Sequence, residues 1–173
     1  MIKERLISYI EQSISQNWEI EALSNYREKG FTYKEIAEKI LKLHIFFKDA
    51  GLKEGDKIAL IGRNSANWCV IYLAAVTYGS VIVPILPDFK PGDLINLTNH
   101  SDAILLFVDD KIWETLDSTK MPLIEGVISA DDFSMIMAKS TDLKRDYMTL
   151  DQKFMIAYPV LNQEDIKFSD ISN

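Results

Sequence analysis

The chain has 173 residues, 47% of them hydrophobic and 26% charged, a balance that fits one folded globular domain and excludes disorder as a global description. Its formal net charge of -7 argues against a nucleic-acid partner, because a phosphate backbone is bound by clustered Lys and Arg and no such cluster occurs. Cys69 is the one cysteine, so no intramolecular disulfide can form.

Met1-Ile2-Lys3-Glu4-Arg5 carries charge and no continuous apolar stretch, unlike a secretory signal, and the longest apolar runs fall far short of the ~20 residues that span a bilayer. No transmembrane segment is expected, and the expected location is cytoplasmic. Ile2, Leu6, Ile10 and Ile14 recur at every fourth residue and predict an opening helix with one packed side. Trp18 to Leu23 alternates apolar and acidic residues, as a half-exposed strand does, and a polar turn then leads to Phe31. A two-stranded hairpin between Ile20 and Phe31 is expected. Thr32 and Glu35 have capping-box spacing, which predicts a helix from near Tyr33 with Ile36, Ile40, Leu43 and Phe47 as its apolar stripe and Gly51 as its left-handed stop. His44 lies beside that stripe with no second ligand at helical spacing, so it reads as a packed or surface imidazole rather than a metal ligand.

From Gly55 to Asp110 short apolar runs alternate twice with helix-length segments. Ile58-Ala59-Leu60-Ile61 is a strand ending at Gly62, and Asn64 and Ser65 then offer acceptors to a helix start. That helix reaches Tyr78 and stops at Gly79, with Trp68, Tyr72 and Val76 as a core stripe and Cys69 as a small core residue. Val81-Ile82-Val83 is a β-branched strand that Pro84 cuts short. Pro91 opens a short helix bearing Leu94, Leu97 and Thr98, and His100-Ser101-Asp102 form its end. Those three are no catalytic triad, since neighbouring side chains point apart. Ala103 to Val108 is a third apolar run, after which Asp109 and Asp110 are placed to cap a helix containing Ile112, Trp113 and Leu116. Strands apolar on both faces must be covered on both, so the fold class is α/β: an open, mostly parallel sheet flanked by helices, in a single domain over 1–173. Past Lys120 the pattern loosens into a strand over Ile124 to Ile128, a short helix over Asp131 to Met137, and a tail whose one apolar run is Phe154-Met155-Ile156-Ala157.

The carboxyl end of the first long strand, Gly62-Arg63-Asn64-Ser65, has the best physical claim to a site. Ligands gather beyond the carboxyl ends of strands in open α/β sheets, and a helix start with an arginine beside it is an anion-binding geometry. One glycine makes no dinucleotide fingerprint, however, and capping by Asn64 and Ser65 with a solvated Arg63 accounts for the same residues. No metal role is assigned to Asp109 and Asp110, for want of further oxygen ligands. No catalytic, cofactor-binding or metal-ligating residue is assigned anywhere in the chain.

Several phrases resemble one enzyme family when read for wording. Gly51-Leu52-Lys53-Glu54-Gly55-Asp56-Lys57-Ile58-Ala59-Leu60, Asn64 through Trp68, and Tyr78-Gly79-Ser80-Val81-Ile82-Val83-Pro84-Ile85 are similar to the amino-terminal part of AMP-forming acyl-CoA synthetases, the adenylate-forming ligases. Phe31-Thr32-Tyr33-Lys34-Glu35-Ile36 is similar to the element that opens an early helix in those enzymes, and the resemblance runs from about Trp18 to Asp110. It implies the amino-terminal subdomain of the adenylate-forming ligase fold. It also implies a parent enzyme, long-chain fatty acid-CoA ligase-like, that uses ATP and Mg2+ to convert a carboxylic acid, expected to be a fatty acid, to an acyl-adenylate, then passes the acyl group to coenzyme A. The family's Ser/Thr-Gly-Thr-Thr-Gly-x-Pro-Lys-Gly phosphate loop and its cap domain are absent from the 173 residues. The chain is therefore expected to be inactive and to bind no cofactor alone, with the remainder of the ligase chain as its partner; an early helix that dimerises some members makes a homodimer possible. Two readings from other classes stand beside this one: a free-standing, non-catalytic α/β domain that binds or regulates a partner, and a small nucleotide-binding protein using the crevice at Arg63 to Ser65.

Overall fold

A computed structural model describes residues 6–144, 146–149 and 166–168 of the chain. The alternation from Lys57 to Val108 folds as β3 (Lys57–Ile61), α3 (Ala66–Tyr78), β4 (Val81–Ile85), α4 (Pro91–His100) and β5 (Leu105–Val108), as the sequence predicts. Together with β6 (Gly126–Ser129) and β7 (Met135–Ala138) these strands make a five-stranded sheet in the order β4-β3-β5-β6-β7. The first four are parallel and β7 is antiparallel to β6. A mostly parallel sheet covered by helices is the α/β fold expected from its apolar strands.

Alternation along each strand divides the core in two, since successive side chains leave opposite faces. Ile58, Leu60, Leu105, Phe107 and Ile128 face α2 (Tyr33–Asp49) and α3, where Ile36, Ile40, Leu43, Phe47, Val70, Ile71 and Ala74 are buried. Ala59, Ile61, Leu106, Val108 and Val127 face the other way, onto Leu94 and Ile95 of α4. All four residues of β5 are buried, as befits a central parallel strand. β4 is different: it is an edge strand, and Val81 on it is half exposed.

The start of α2 shows how local chemistry sets a boundary. Glu35 N–H donates to Thr32 Oγ1 at 3.2 Å and Thr32 N–H to Glu35 Oε2 at 2.8 Å, the capping box that the sequence predicts. Tyr33 and Lys34 N–H donate to the carbonyls of Ile20 and Trp18, so each amide from Thr32 to Glu35 has an acceptor. Trp18 and Ile20 thus serve the helix, and the strand β1 (Glu21–Leu23) begins only after them; it pairs with β2 (Phe31–Thr32) in the expected antiparallel hairpin. Thr32→Ala should cost about 1 kcal/mol, the usual effect of losing an N-cap hydroxyl, read as a shift in the urea unfolding midpoint.

Seven expectations are corrected. Pro84 does not end its strand but lies within β4. Val81 N–H donates to Asp56 O on the β3 side, so alternation turns the amides of Val83 and Ile85 the same way and aims Ile82 and Pro84 outward. The missing N–H of proline is therefore on the open edge, where the ladder does not need it. Asp131 to Met137 is not a helix: a turn with Phe133 at φ 66 joins β6 to β7. The β-branched and sulfur-containing run Met135-Ile136-Met137 suits a strand, and long-range pairing with β6 overrides its acidic helix-start signal. In the opening helix α1 (Leu6–Gln16), Ile14 is buried but Leu6 is exposed, and Ile2 lies outside the described residues. Trp68, Tyr72 and Val76 are half-buried; the core face of α3 is Val70, Ile71, Ala74, Ala75 and Tyr78 instead. The Trp68 and Tyr72 rings stack with centroids 5.5 Å apart at 16°. Cys69 on the same helix is half-buried, and burial raises its thiol pKa. On α4, Ile95 is buried in place of Leu97, which is exposed. The helix α5 (Asp110–Trp113) ends before Leu116. The apolar run Phe154-Met155-Ile156-Ala157 lies outside the described residues.

His44 is a packed imidazole, wholly buried between α2 and α3. Its Nε2 is 3.0 Å from the Ala74 carbonyl oxygen and 3.0 Å from Thr77 Oγ1. A carbonyl can only accept, and the Thr77 hydroxyl already donates to Leu73 O at 2.7 Å, so Nε2 carries the proton. Nδ1 is then a bare lone pair with no partner among the described residues. The rings of Phe47, Tyr78 and Phe168 surround the imidazole at centroid distances of 6.3, 5.3 and 5.8 Å. Burial pushes its pKa down to about 4.

Candidate functional site

In this sheet β4 lies to one side of β3 and β5 to the other, so the order in which strands are added reverses at the gap between β3 and β5. Such a switch point opens a crevice beyond the carboxyl ends of the strands. Gly62, Arg63 and Asn64 line one side of it. Ser65 caps α3, accepting from Trp68 N–H at 3.0 Å, while Asn64 is exposed. Ala66 N–H donates to Asn25 Oδ1 of the hairpin turn at 2.9 Å. Two amides of the helix start are thus engaged by the protein itself, which is the capping account of these residues. The Arg63 guanidinium stands 3.9 Å from Asp88 Oδ1 with both side chains more than four-fifths exposed. Such a pair contributes little in water.

The other wall was not legible in advance. Asp109 at the end of β5 does not cap α5 with its side chain. Its carboxylate reaches across to β3, where Oδ2 accepts from Arg63 N–H at 2.9 Å. Oδ1 fills the space that a side chain on Gly62 would occupy. The register Ile61 to Val108 explains this, because it sets residues 62 and 109 side by side at neighbouring strand ends. Burial pushes the Asp109 carboxyl above its ordinary range, the Arg63 amide opposes that, and the charges of Asp131 and Asp110 add to it. Asp131, in the turn after β6, accepts from Asp110 N–H at 2.9 Å. Asp109, Asp131, Arg63, Lys111, Phe89 and Leu94 line a groove of about 710 Å³.

Chemically this is a clasp: a carboxylate bound to a backbone amide holds two strand ends together, with charges of both signs around a groove. Gly62→Ala should dislodge the Asp109 carboxylate and cost about 1–2 kcal/mol, the range for a lost, partly buried hydrogen bond with local crowding. Combining it with Asp109→Ala should give less than the sum of the two single losses in urea melts. Strict additivity would sink the clasp.

The remaining site candidates stay apart. His44 is in the core, while Asp102 pairs with Lys57 at 3.5 Å beside the opposite, amino end of the sheet. Ser101 Oγ donates to Thr98 O as a helix-end contact. Among the described residues no three His, Cys, Asp or Glu side chains come together as a metal site would require. No described helix is long and apolar enough to cross a membrane.

This architecture has known counterparts. The family model for AMP-binding enzymes matches residues 10–165. Long chain acyl-CoA synthetase 5 of Arabidopsis thaliana is 29% identical over 80 residues, 46% of this chain and 12% of that protein. 4-Hydroxybutyrate--CoA ligase 2 of Metallosphaera sedula is 25% identical over 124 residues, 72% of this chain and 23% of that protein. Among solved structures, a long-chain-fatty-acid-CoA ligase from Archaeoglobus fulgidus superposes with a TM-score of 0.68 at 20% identity, covering 84% of this chain and 31% of that one. Coronafacic acid ligase from Pectobacterium brasiliense gives 0.67 at 19% identity, covering 72% of this chain and 25% of that one. The chain thus spans less than a quarter of these two curated relatives. The solved structures share its fold, and the family match extends over nearly all of its sheet and helices: the chain belongs to the AMP-binding enzyme family.

Proposed function

We propose that residues 1–173 form one unit, the amino-terminal subdomain of an ATP-dependent, AMP-forming acyl-CoA synthetase. The whole enzyme activates a carboxylic acid, fatty in character, as its acyl-adenylate and transfers the acyl group to coenzyme A. The family match over residues 10–165 carries this reading, with support from curated relatives that are themselves acyl-CoA ligases.

The described residues do not fit a nucleotide triphosphate. At the crevice the Arg63 amide is taken by Asp109, two amides of the α3 start are taken by Ser65 and Asn25, and Asp109 and Asp131 would repel phosphate. ATP, Mg2+ and coenzyme A therefore belong, in this reading, to the part of the ligase outside these residues. This subdomain supplies a folded wall rather than reacting groups.

The test is to read the source gene through codon 173 and assay both products. The full reading frame should form AMP and pyrophosphate with a fatty acid and coenzyme A, and the 173-residue chain should show no acid-dependent ATP-pyrophosphate exchange. A frame that closes at codon 173, or exchange by the short chain alone, would overturn the proposal.

A further inference from the structure

The open side of the sheet is apolar where a free edge is ordinarily polar or covered. Val81 on β4 is 46% exposed, and beyond it Leu86 is 68%, Phe89 46% and Leu97 38% exposed. With Val83 they line a groove of about 540 Å³ between the edge strand and α4. It is continuous with the candidate site: Phe89 also lines the crevice at Asp109, and Pro84, Ile85 and Leu86 also line the groove beside Arg63 and Trp68. From this geometry we infer that the β4–α4 groove is the docking surface for the portion of the ligase polypeptide outside these 173 residues, which seats apolar side chains on Val81, Leu86, Phe89 and Leu97.

Two observations choose this occupant. The chain covers only 12% and 23% of the two curated relatives described, so a ligase of that length has a large remainder available to pack against this subdomain. Apolar side chains are exposed elsewhere too, Leu6 and Ile20 among them, but this patch is continuous with the strand-end crevice, where a second wall would enclose a ligand. Pro84 sets the manner of contact. It removes one of the two outward amide positions of β4, so a strand added there would lack a ladder bond, and side chains carry the contact instead.

The inference rests on the proposed ligase reading, and its test separates the two. Leu86→Lys with Leu97→Lys is made both in the 173-residue chain and in the full reading frame, and thermal melts and sedimentation are measured for each. In the short chain these exposed positions should leave Tm within about 2 °C of the parent. In the full-length protein Tm should fall by about 5 °C or more. No loss in the full-length protein would overturn the inference while leaving the ligase reading intact. Loss in both proteins would overturn it by assigning the groove to a segment of this chain itself. A dimer of the short chain that the variant converts to monomer would overturn it in favour of a second copy. A frame closing at codon 173 would remove the ligase reading and the inference together.

Discussion

Lowering the pH from 6.5 to 4 is expected to cost the folded chain about 3 kcal/mol through one imidazole, that of His44. In the unfolded chain a histidine takes its proton near 6.5, whereas in the fold burial holds His44 neutral down to about 4. Between those values the unfolded state binds the extra proton, so stability falls as pH falls, and below about 4 the whole difference is lost. The geometry agrees. Nε2 already bears its proton toward Ala74 O, so an added proton must go to Nδ1, which has no partner among the described residues and faces aromatic rings. A charge there would be buried without compensation. Urea melts of the parent and His44→Leu at pH 7 and 4.5 isolate the effect, since the carboxylates titrate in both. The parent should lose about 2–3 kcal/mol more than the variant; equal losses would remove the assignment.

Phe47→Ala should cost about 3–5 kcal/mol, the range for emptying a fully buried aromatic site. Phe47 is wholly buried on α2 and sits among Phe46, Tyr78 and Phe107, with centroids 5.8, 5.3 and 6.2 Å away. It therefore touches the helix layer and the sheet at once, and no neighbour can fill the space without abandoning its own contacts. A domain of this size has about 5–15 kcal/mol in hand, so the variant should be marginal at room temperature. Tyr26→Ala is the control: Tyr26 is 84% exposed and its loss should stay within about 0.5 kcal/mol. Near-parent stability of Phe47→Ala would mean that this face of the core is loosely packed.

The parts of this fold that could be read from sequence are those in which a local signal and its structural partner lie close together. Thr32 and Glu35 are three residues apart, and their capping box is present as predicted. Gly79 stops α3 at φ 86, a backbone that glycine adopts freely. The apolar runs of β3 and β5 needed only their own composition. Elements that depend on distant partners do not show in the local sequence. Met135-Ile136-Met137 became a strand because β6 was available to pair with it. Pro84 stays in β4 because no described strand lies on its nitrogen's side of the sheet, and edge position is a property of topology. At the crevice, Arg63 and Ser65 were visible as a helix start, but Asp109 is 46 residues further on. Its reach to the Arg63 amide follows from strand register, which no spacing within either segment encodes.

The cage around His44 is closed by Phe168, which is fully buried, and Glu11 in α1 accepts the Phe168 N–H at 2.7 Å. An early helix and the core thus wait on a residue made near the far end of this stretch. At a synthesis rate of about 5–20 residues per second, on the order of ten seconds separate the emergence of His44 from that of Phe168. During that interval α2 and α3 can pair on the ribosome while one side of their shared core stays open to water or to a chaperone. A stalled or prematurely released chain lacking Phe168 would carry its imidazole in a wet, incomplete pocket. Such intermediates should be sensitive to proteolysis at a stage when the finished fold is not.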